Sequence, residues 1–240
     1  MRNRIEGVLD WATVRGHRSG DNPARWKGHL DQVLPARGDI AKIQHHPALP
    51  YAGLPQFMAD LERRESIGAR ALKFTILTAA RTGEVIGATW GEVDLDSATW
   101  TIPAPRTKAR REHRVPLSPA VLELLRSLPR EEGNPFVFIG GKVNGGLSHL
   151  PMLGVLNTMG RTDITVHGFR STFRDWAAEQ TAYPREIAEL ALAHAVGSAV
   201  ERAYRRADLF EKRRRLMDDW ARYCTSPAPA GAVVPIRGRQ

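Results

Sequence analysis

His167 and Arg170 lie in the stretch Asp163-Ile-Thr-Val-His167-Gly-Phe-Arg170-Ser-Thr-Phe-Arg174-Asp-Trp, which reads as an amphipathic helix entered from a short apolar run. At about 100° per residue, Phe169, Phe173 and Trp176 fall on one side and His167, Arg170 and Arg174 on nearly the opposite one. The apolar side must be buried, so an imidazole and a guanidinium are held at the opening turn of a docked helix. Such a turn carries unpaired amide donors and a positive partial charge, which favours an anion such as phosphate. A surface helix with a basic outer face satisfies the same local pattern.

Four more residues are of types that handle phosphate. Arg81 follows an apolar helix at a Thr-Gly break. A guanidinium at the edge of a core is costly unless an anion or a carboxylate pairs with it, and Glu84 is placed to be that carboxylate. Lys108 sits in the loop 104–112 with Arg106, Arg110 and Arg111, and Arg114 follows. This is either a solvated basic hairpin or one that tracks phosphates, and spacing does not single out Lys108. His194 continues the stripe Ile187, Leu190, Ala191, so its ring is expected to point inward at a helix C-terminus, where the dipole favours it. Ser198-Ala-Val-Glu201 is a capping box that starts a helix, with Val200, Ala203, Tyr204 and Ala207 on one face. Tyr204 is by default a core aromatic. As a nucleophile it needs help, because a phenol pKa of about 10 leaves little phenolate at neutral pH. A cluster of Arg and His supplies that help by stabilising the anion and taking its proton.

The elements that must position these residues follow from pattern. Of 240 residues, 42% are hydrophobic and 25% charged, ordinary for a globular protein. Thirty-five Lys and Arg against 26 Asp and Glu give +9, a balance that favours a polyanionic partner, nucleic acid before acidic membrane. No apolar run approaches the roughly 20 residues of a membrane span, and the N-terminus lacks a signal-peptide pattern, so a cytoplasmic protein is expected. A single cysteine, Cys224, excludes a disulfide framework and a Cys-based zinc site. No metal site is expected, and the His45-His46 pair has no third ligand nearby.

Residues 4–15 have helical spacing, with Ile5, Val8, Leu9 and Ala12 as a stripe. Residues 35–50, rich in Pro with Gly38, read as a linker. Helices are then expected from Pro55 to Glu65, Ala69 to Ala80, Pro119 to Leu128, Leu150 to Met159, Pro184 to His194 and Leu209 to Tyr223. Strands are expected at Glu92–Leu95, Thr99–Pro103, His113–Leu117 and Phe136–Ile139. The fold class is mainly α with a small antiparallel sheet (α+β). A catalytic domain over 51–223 is followed by a low-complexity tail, 224–240, expected to be disordered.

Taken together, Ala80-Arg81-Thr-Gly-Glu84-Val, Thr107-Lys108, His113-Arg-Val-Pro-Leu-Ser118, His167-Gly-Phe-Arg170, Leu192-Ala-His194 and Ala203-Tyr204 resemble, in that order, the tyrosine recombinase family, the phage-type integrases. The Arg-rich segment 205–214 looks most like integrases of the P4 prophage type. The resemblance covers residues 50–223, and it implies the catalytic fold of DNA breaking-rejoining enzymes.

The resemblance implies roles. Tyr204 attacks a DNA phosphodiester to give a 3′-phosphotyrosyl link and a free 5′-hydroxyl. Arg81 and Arg170 clamp the non-bridging oxygens. Lys108 protonates the leaving 5′-oxygen, His167 acts as acid or base towards the tyrosine, and His194 hydrogen-bonds the phosphate. No cofactor is called for, since the phosphotyrosine stores the bond energy. Arg106, Arg110, Arg111, Arg114 and Arg174 are left as DNA-backbone contacts. The partners are double-stranded attachment-site DNA and a second copy of the chain, packed through the C-terminal helix by Leu216, Met217 and Trp220; docking of that helix on its own domain is the alternative. Residues 1–34 correspond to the last helices of a core-binding domain, so a shortened enzyme of weakened activity is expected. The other readings are an idle DNA-binding remnant and a related tyrosine enzyme that relaxes or resolves DNA without strand exchange.

Overall fold

The computed structural model describes residues 1–35, 47–194 and 208–227. The centre of the expected linker with His45 and His46, the expected helix at Ser198 with Tyr204, and tail residues 228–240 lie outside the described residues. The chain divides into two compact units, Met1–His45 and His46–Gln240.

In the first unit, helix α1 (Arg2–Val14) uses its polar side. Asn22 donates from Nδ2 to the Glu6 carbonyl (2.9 Å) and to Asp10 Oδ1 (2.6 Å), and Arg2 pairs with Glu6 at 2.6 Å. Leu9 and Ala12 of the expected stripe are half-buried, whereas Ile5 and Val8 are exposed.

The second unit is helical with one small sheet. Its helices are α2 (Leu54–Glu62), α3 (Ile67–Thr78), α4 (Thr82–Ile86), α5 (Pro119–Arg126), α6 (Leu150–Thr158), α7 (Gly168–Gln180), α8 (Arg185–Ala191) and α9 (Phe210–Thr225). Strands β1 (Val93–Asp94), β2 (Thr99–Ile102) and β3 (His113–Pro116) form an antiparallel sheet in the order β1-β2-β3. The register sets Trp100 opposite Val93 and Val115, and Ile102 opposite His113. Among the described residues no helix is long and apolar enough to cross a membrane.

Helix α3 is the central element. Ser66 caps it by accepting from the Ala69 amide at 3.2 Å, so it starts earlier than its apolar stripe indicates. Leu72, Phe74, Ile76 and Leu77 are fully buried, with Phe74 edge-on to Trp100 of β2 and to Phe138, both at 5.3 Å between centroids. The helix ends at Ala79, whose φ of 49° is left-handed.

Two expectations change. Residues 136–139 do not form a ladder strand. They make isolated bridges, Thr89 to Phe136 and Ile139 to Gly146, because a Gly-rich loop returns the chain before pairing extends. The C-terminal helix runs past Tyr223 to Thr225, and Cys224, placed in the tail by composition, is fully buried. Met217, Trp220, Ala221 and Cys224 continue one helical stripe, which carries the helix on.

Helix α9 docks on its own domain. Leu216, Met217 and Trp220 are buried; Trp220 lies 5.3 Å from Phe173 and 5.0 Å from Trp176 of α7, and donates from Nε1 to the Ile76 carbonyl at 2.8 Å. The apolar face of α7 named from sequence thus meets α9. Replacing Trp220 by Phe keeps an aromatic ring but leaves the Ile76 carbonyl with only the Ala79 amide, at 3.2 Å, as donor. The expected loss is about 0.5–1.5 kcal/mol of stability, read as a lower urea midpoint with unchanged slope.

Candidate active site

Arg170 lies in the first turn of α7. Gly168 opens that helix because no side chain fits there: a Cβ would lie 2.2 Å from the Pro47 carbonyl oxygen. The segment 47–49 crosses the helix start, with the Thr165 amide donating to Pro47 O at 3.1 Å and Thr172 Oγ1 to Leu49 O at 2.6 Å. Arg170 is only 6% exposed. A basic outer face on a surface helix does not describe it. The guanidinium turns inward and donates from Nη1 to the Ala79 carbonyl at the end of α3. Its Nη2 donates to the Leu192 carbonyl (2.6 Å) and faces His194 Nε2 (3.2 Å). Burial, then the neighbouring Arg81 charge, lower its pKa to about 10, so it is still a cation at neutral pH.

Arg81 is the N-cap of α4. Its backbone N–H donates to Glu84 Oε2 and its Nη1 to Glu84 Oε1, both at 2.9 Å, so the local pair with Glu84 is formed. Its Nη2 also reaches the Ala193 carbonyl at 3.4 Å. Arg81 and Arg170 thus converge on consecutive carbonyls at the end of α8.

His194 departs from its expected inward position. Helix α8 ends at Ala191, and Ala193 turns left-handed at φ 50°. The amides of Ala193 and His194 donate back to Leu190 O (3.1 Å) and Glu189 O (2.9 Å), the Schellman pattern. The turn lifts the imidazole off the apolar stripe, and 41% of its side chain is exposed. Its Nδ1 meets Glu189 Oε2 at 2.6 Å and its Nε2 faces Arg170.

His167 is exposed at the N-cap of α7. Lys108 is exposed in the β2–β3 loop, along with Arg110 and Arg111. Buried Thr107 holds that loop, donating to Arg111 O at 2.7 Å and accepting from the Arg111 amide at 3.0 Å. Tyr204 lies outside the described residues.

Three of the arginines proposed from sequence as backbone contacts are engaged within the protein. Arg106 departs furthest from that expectation. Its Nη1 pairs with Glu92 and its Nη2 donates to the Glu84 carbonyl at 2.6 Å, lying against Gly87 where a Cβ would come within 2.8 Å. Two acceptors turn it into the domain. Arg114 lies over the Phe210 ring, 4.0 Å from its centroid, and 3.6 Å from Asp208. Arg174 pairs with Glu189 at 3.0 Å.

Two residues were not assigned from sequence. Glu189 precedes His194 by five positions, a spacing that no regular helix brings together; the Schellman turn does so. His113 was quoted only as part of a motif. Burial, then the nearby Arg213 charge, push its pKa down to about 4, against the opposing pull of Glu84 and of its hydrogen bond to the Ala191 carbonyl. The carbonyls of Leu192 and Ala193 receive Arg170 and Arg81 in turn.

The model of the phage integrase family matches residues 52–209. A prophage integrase of Escherichia coli K12, IntZ, is 36% identical over 92% of this chain and 54% of its own length. The integrase of enterobacteria phage P4 is 31% identical over 93% of this chain and 54% of its own. The chain spans about half the length of these curated relatives. A lambda integrase (75–356) dimer bound to a COC′ core site has a similar fold, with TM-score 0.58 at 16% identity, over 81% of this chain and 70% of that one. The integrase from mycobacterium phage Brujita gives TM-score 0.53 at 18% identity, over 90% and 69%.

His113 predicts a pH dependence. Its folded pKa lies below the unfolded value of about 6.5, so its contribution is intact above that pH and lost as pH falls towards 4. The full effect is at most about 3 kcal/mol. Unfolding free energies of His113→Phe, measured between pH 7 and 4, are expected to fall less steeply than those of the wild type.

Proposed function

The chain belongs to the phage integrase family, and from that membership we propose that it is a site-specific recombinase that cuts and rejoins double-stranded DNA at attachment sites. The Tyr204 oxygen attacks the scissile phosphorus as its proton passes to His167. The bond to the 5′-oxygen breaks, and Lys108 supplies the proton that this oxygen takes up. Reversal by a 5′-hydroxyl from another strand completes exchange, with no metal or nucleotide consumed. Arg81 and Arg170 hold the non-bridging oxygens, and His194 hydrogen-bonds one of them.

The observation that carries this reading is the convergence of Arg81 and Arg170 on adjacent carbonyls beside His194. Two guanidiniums brought together, one of them paired with Glu84, suit a phosphate that gains charge in the transition state. Arg110 and Arg111, exposed beside Lys108, follow the DNA backbone in this reading. Arg114 and Arg174 add to the field while holding Asp208 and Glu189. The DNA substrate places the enzyme in the cytoplasm of its host.

The enzyme acts as a homo-oligomer on DNA. The lambda integrase relative is a dimer on its core site and a tetramer on a Holliday junction. Leu216, Met217 and Trp220 are spent on the protein's own core, so an assembly through the C-terminal helix uses its outer residues, such as Glu211, Lys212 and Arg215, or the segment that follows it.

Incubation with a nicked attachment-site duplex should give an SDS-resistant protein–DNA adduct with wild type and none with Tyr204→Phe. An adduct with Tyr204→Phe, or none with wild type, would refute the assignment. Arg170→Lys removes planar two-sided bonding and should slow adduct formation by about 10²–10³-fold.

A further inference from the structure

We propose that Glu189 is a positioning residue for strand cleavage, setting the tautomer and the aim of His194; this rests on the recombinase reading above. Three observations carry it. The Glu189 carboxylate accepts from His194 Nδ1 at 2.6 Å, and the backbone of the same residue accepts the His194 amide at 2.9 Å, so one residue fixes both ring and chain. On the other side of the ring, Nε2 lies 3.2 Å from Arg170 Nη2. A guanidinium only donates, so a neutral ring must accept at Nε2 and carry its proton on Nδ1. The Glu189 side chain is mostly buried, 15% exposed, so it is screened little.

The remaining charges around the pair fit this role. Arg174 of α7 reaches Glu189 Oε1 at 3.0 Å and Arg185, one turn earlier on α8, at 3.5 Å, while Arg81 of α4 reaches the Ala193 carbonyl. Burial raises the Glu189 pKa, but the hydrogen bond from His194 and the charge of Arg174 outweigh it, so the carboxylate is held below its ordinary range and stays ionised. A protonated ring also keeps Nδ1–H on Glu189. In either state Nε2 is the atom presented beside Arg170, where the phosphate is to be bound.

The alternative is a staple, with Glu189 merely tying α8 to α7 through Arg174. The two separate in Glu189→Gln. There Arg174 and Arg185 retain the amide oxygen and the amide NH2 turns to Nδ1, which drives the ring proton to Nε2 and breaks the contact in which Nε2 accepts from Arg170. In the full chain with 15N-labelled histidine, the wild type should show the Nδ1–H tautomer of His194 and Glu189→Gln should lose it. Glu189→Asp, which keeps the charge, should retain it at least in part. With nicked DNA, Glu189→Gln should slow single-turnover cleavage by on the order of 10–100-fold, the range for an outer partner of a functional histidine. Its DNA affinity should change little. Because Glu189 acts through His194, the pair Glu189→Gln/His194→Ala should cleave no more slowly than His194→Ala alone. An unchanged tautomer in Glu189→Gln, or additive losses in the pair, would overturn the proposal. A wild type that forms no adduct would sink the recombinase reading instead, and the tautomer measurement would still decide the role of Glu189.

Discussion

Two guanidiniums at the edge of a core repel each other and lose their water, and desolvation alone costs several kcal/mol per buried ion. Here the offset comes from the Glu84 carboxylate for Arg81 and, for both guanidiniums, from backbone carbonyls at helix ends. The last carbonyls of a helix have no partner within it and carry negative partial charge. Arg170 takes one from α3 and one from α8, and Arg81 takes the next from α8. The geometry of the site thus depends on where two helices stop. Both stop at an alanine in the left-handed region, Ala79 and Ala193, a conformation that costs a non-glycine residue roughly 1 kcal/mol. The carbonyls so exposed are the ones that the site uses.

The same accounting changes the meaning of the net charge. A formal +9 on 240 residues suggests a uniformly basic surface. Several of the arginines are instead internal fasteners. Arg213, 2% exposed, bonds the Asp208 side chain and the Arg114 carbonyl; Arg106 bonds Glu92 and the Glu84 carbonyl. The positive charge left for a polyanion is concentrated in fewer places, among them the β2–β3 loop with Lys108, Arg110 and Arg111. Thr107 keeps that loop rooted while its cations stay in solvent.

Helices α7 and α9 show how the core serves the site. The aromatic side of α7 is locked by Trp220 of α9, which leaves its other side no freedom to roll. Gly168 lets the chain at Pro47 press on the start of α7, fixing its axial position. Arg170 is therefore aimed by packing on both sides of its helix. Its charge is placed by apolar contacts it does not make.

From the sequence alone, the helical and strand periods set the elements, since burying one face of each is a local demand. The β2 and β3 runs, the stripe of α9 and the apolar side of α7 were legible for that reason. The ordered set Arg81, Lys108, His167, Arg170, His194 and Tyr204 was legible through its motifs, and it pointed to the family. The direction of Arg170, the aim of His194 and the partners of Arg106 and Arg174 were decided only in three dimensions. Each depends on an acceptor distant in sequence or on a turn at a non-glycine residue. Glu189 marks the limit most clearly: five positions from His194 it faces away along any helix, and only the left-handed turn at Ala193 brings the two side chains together.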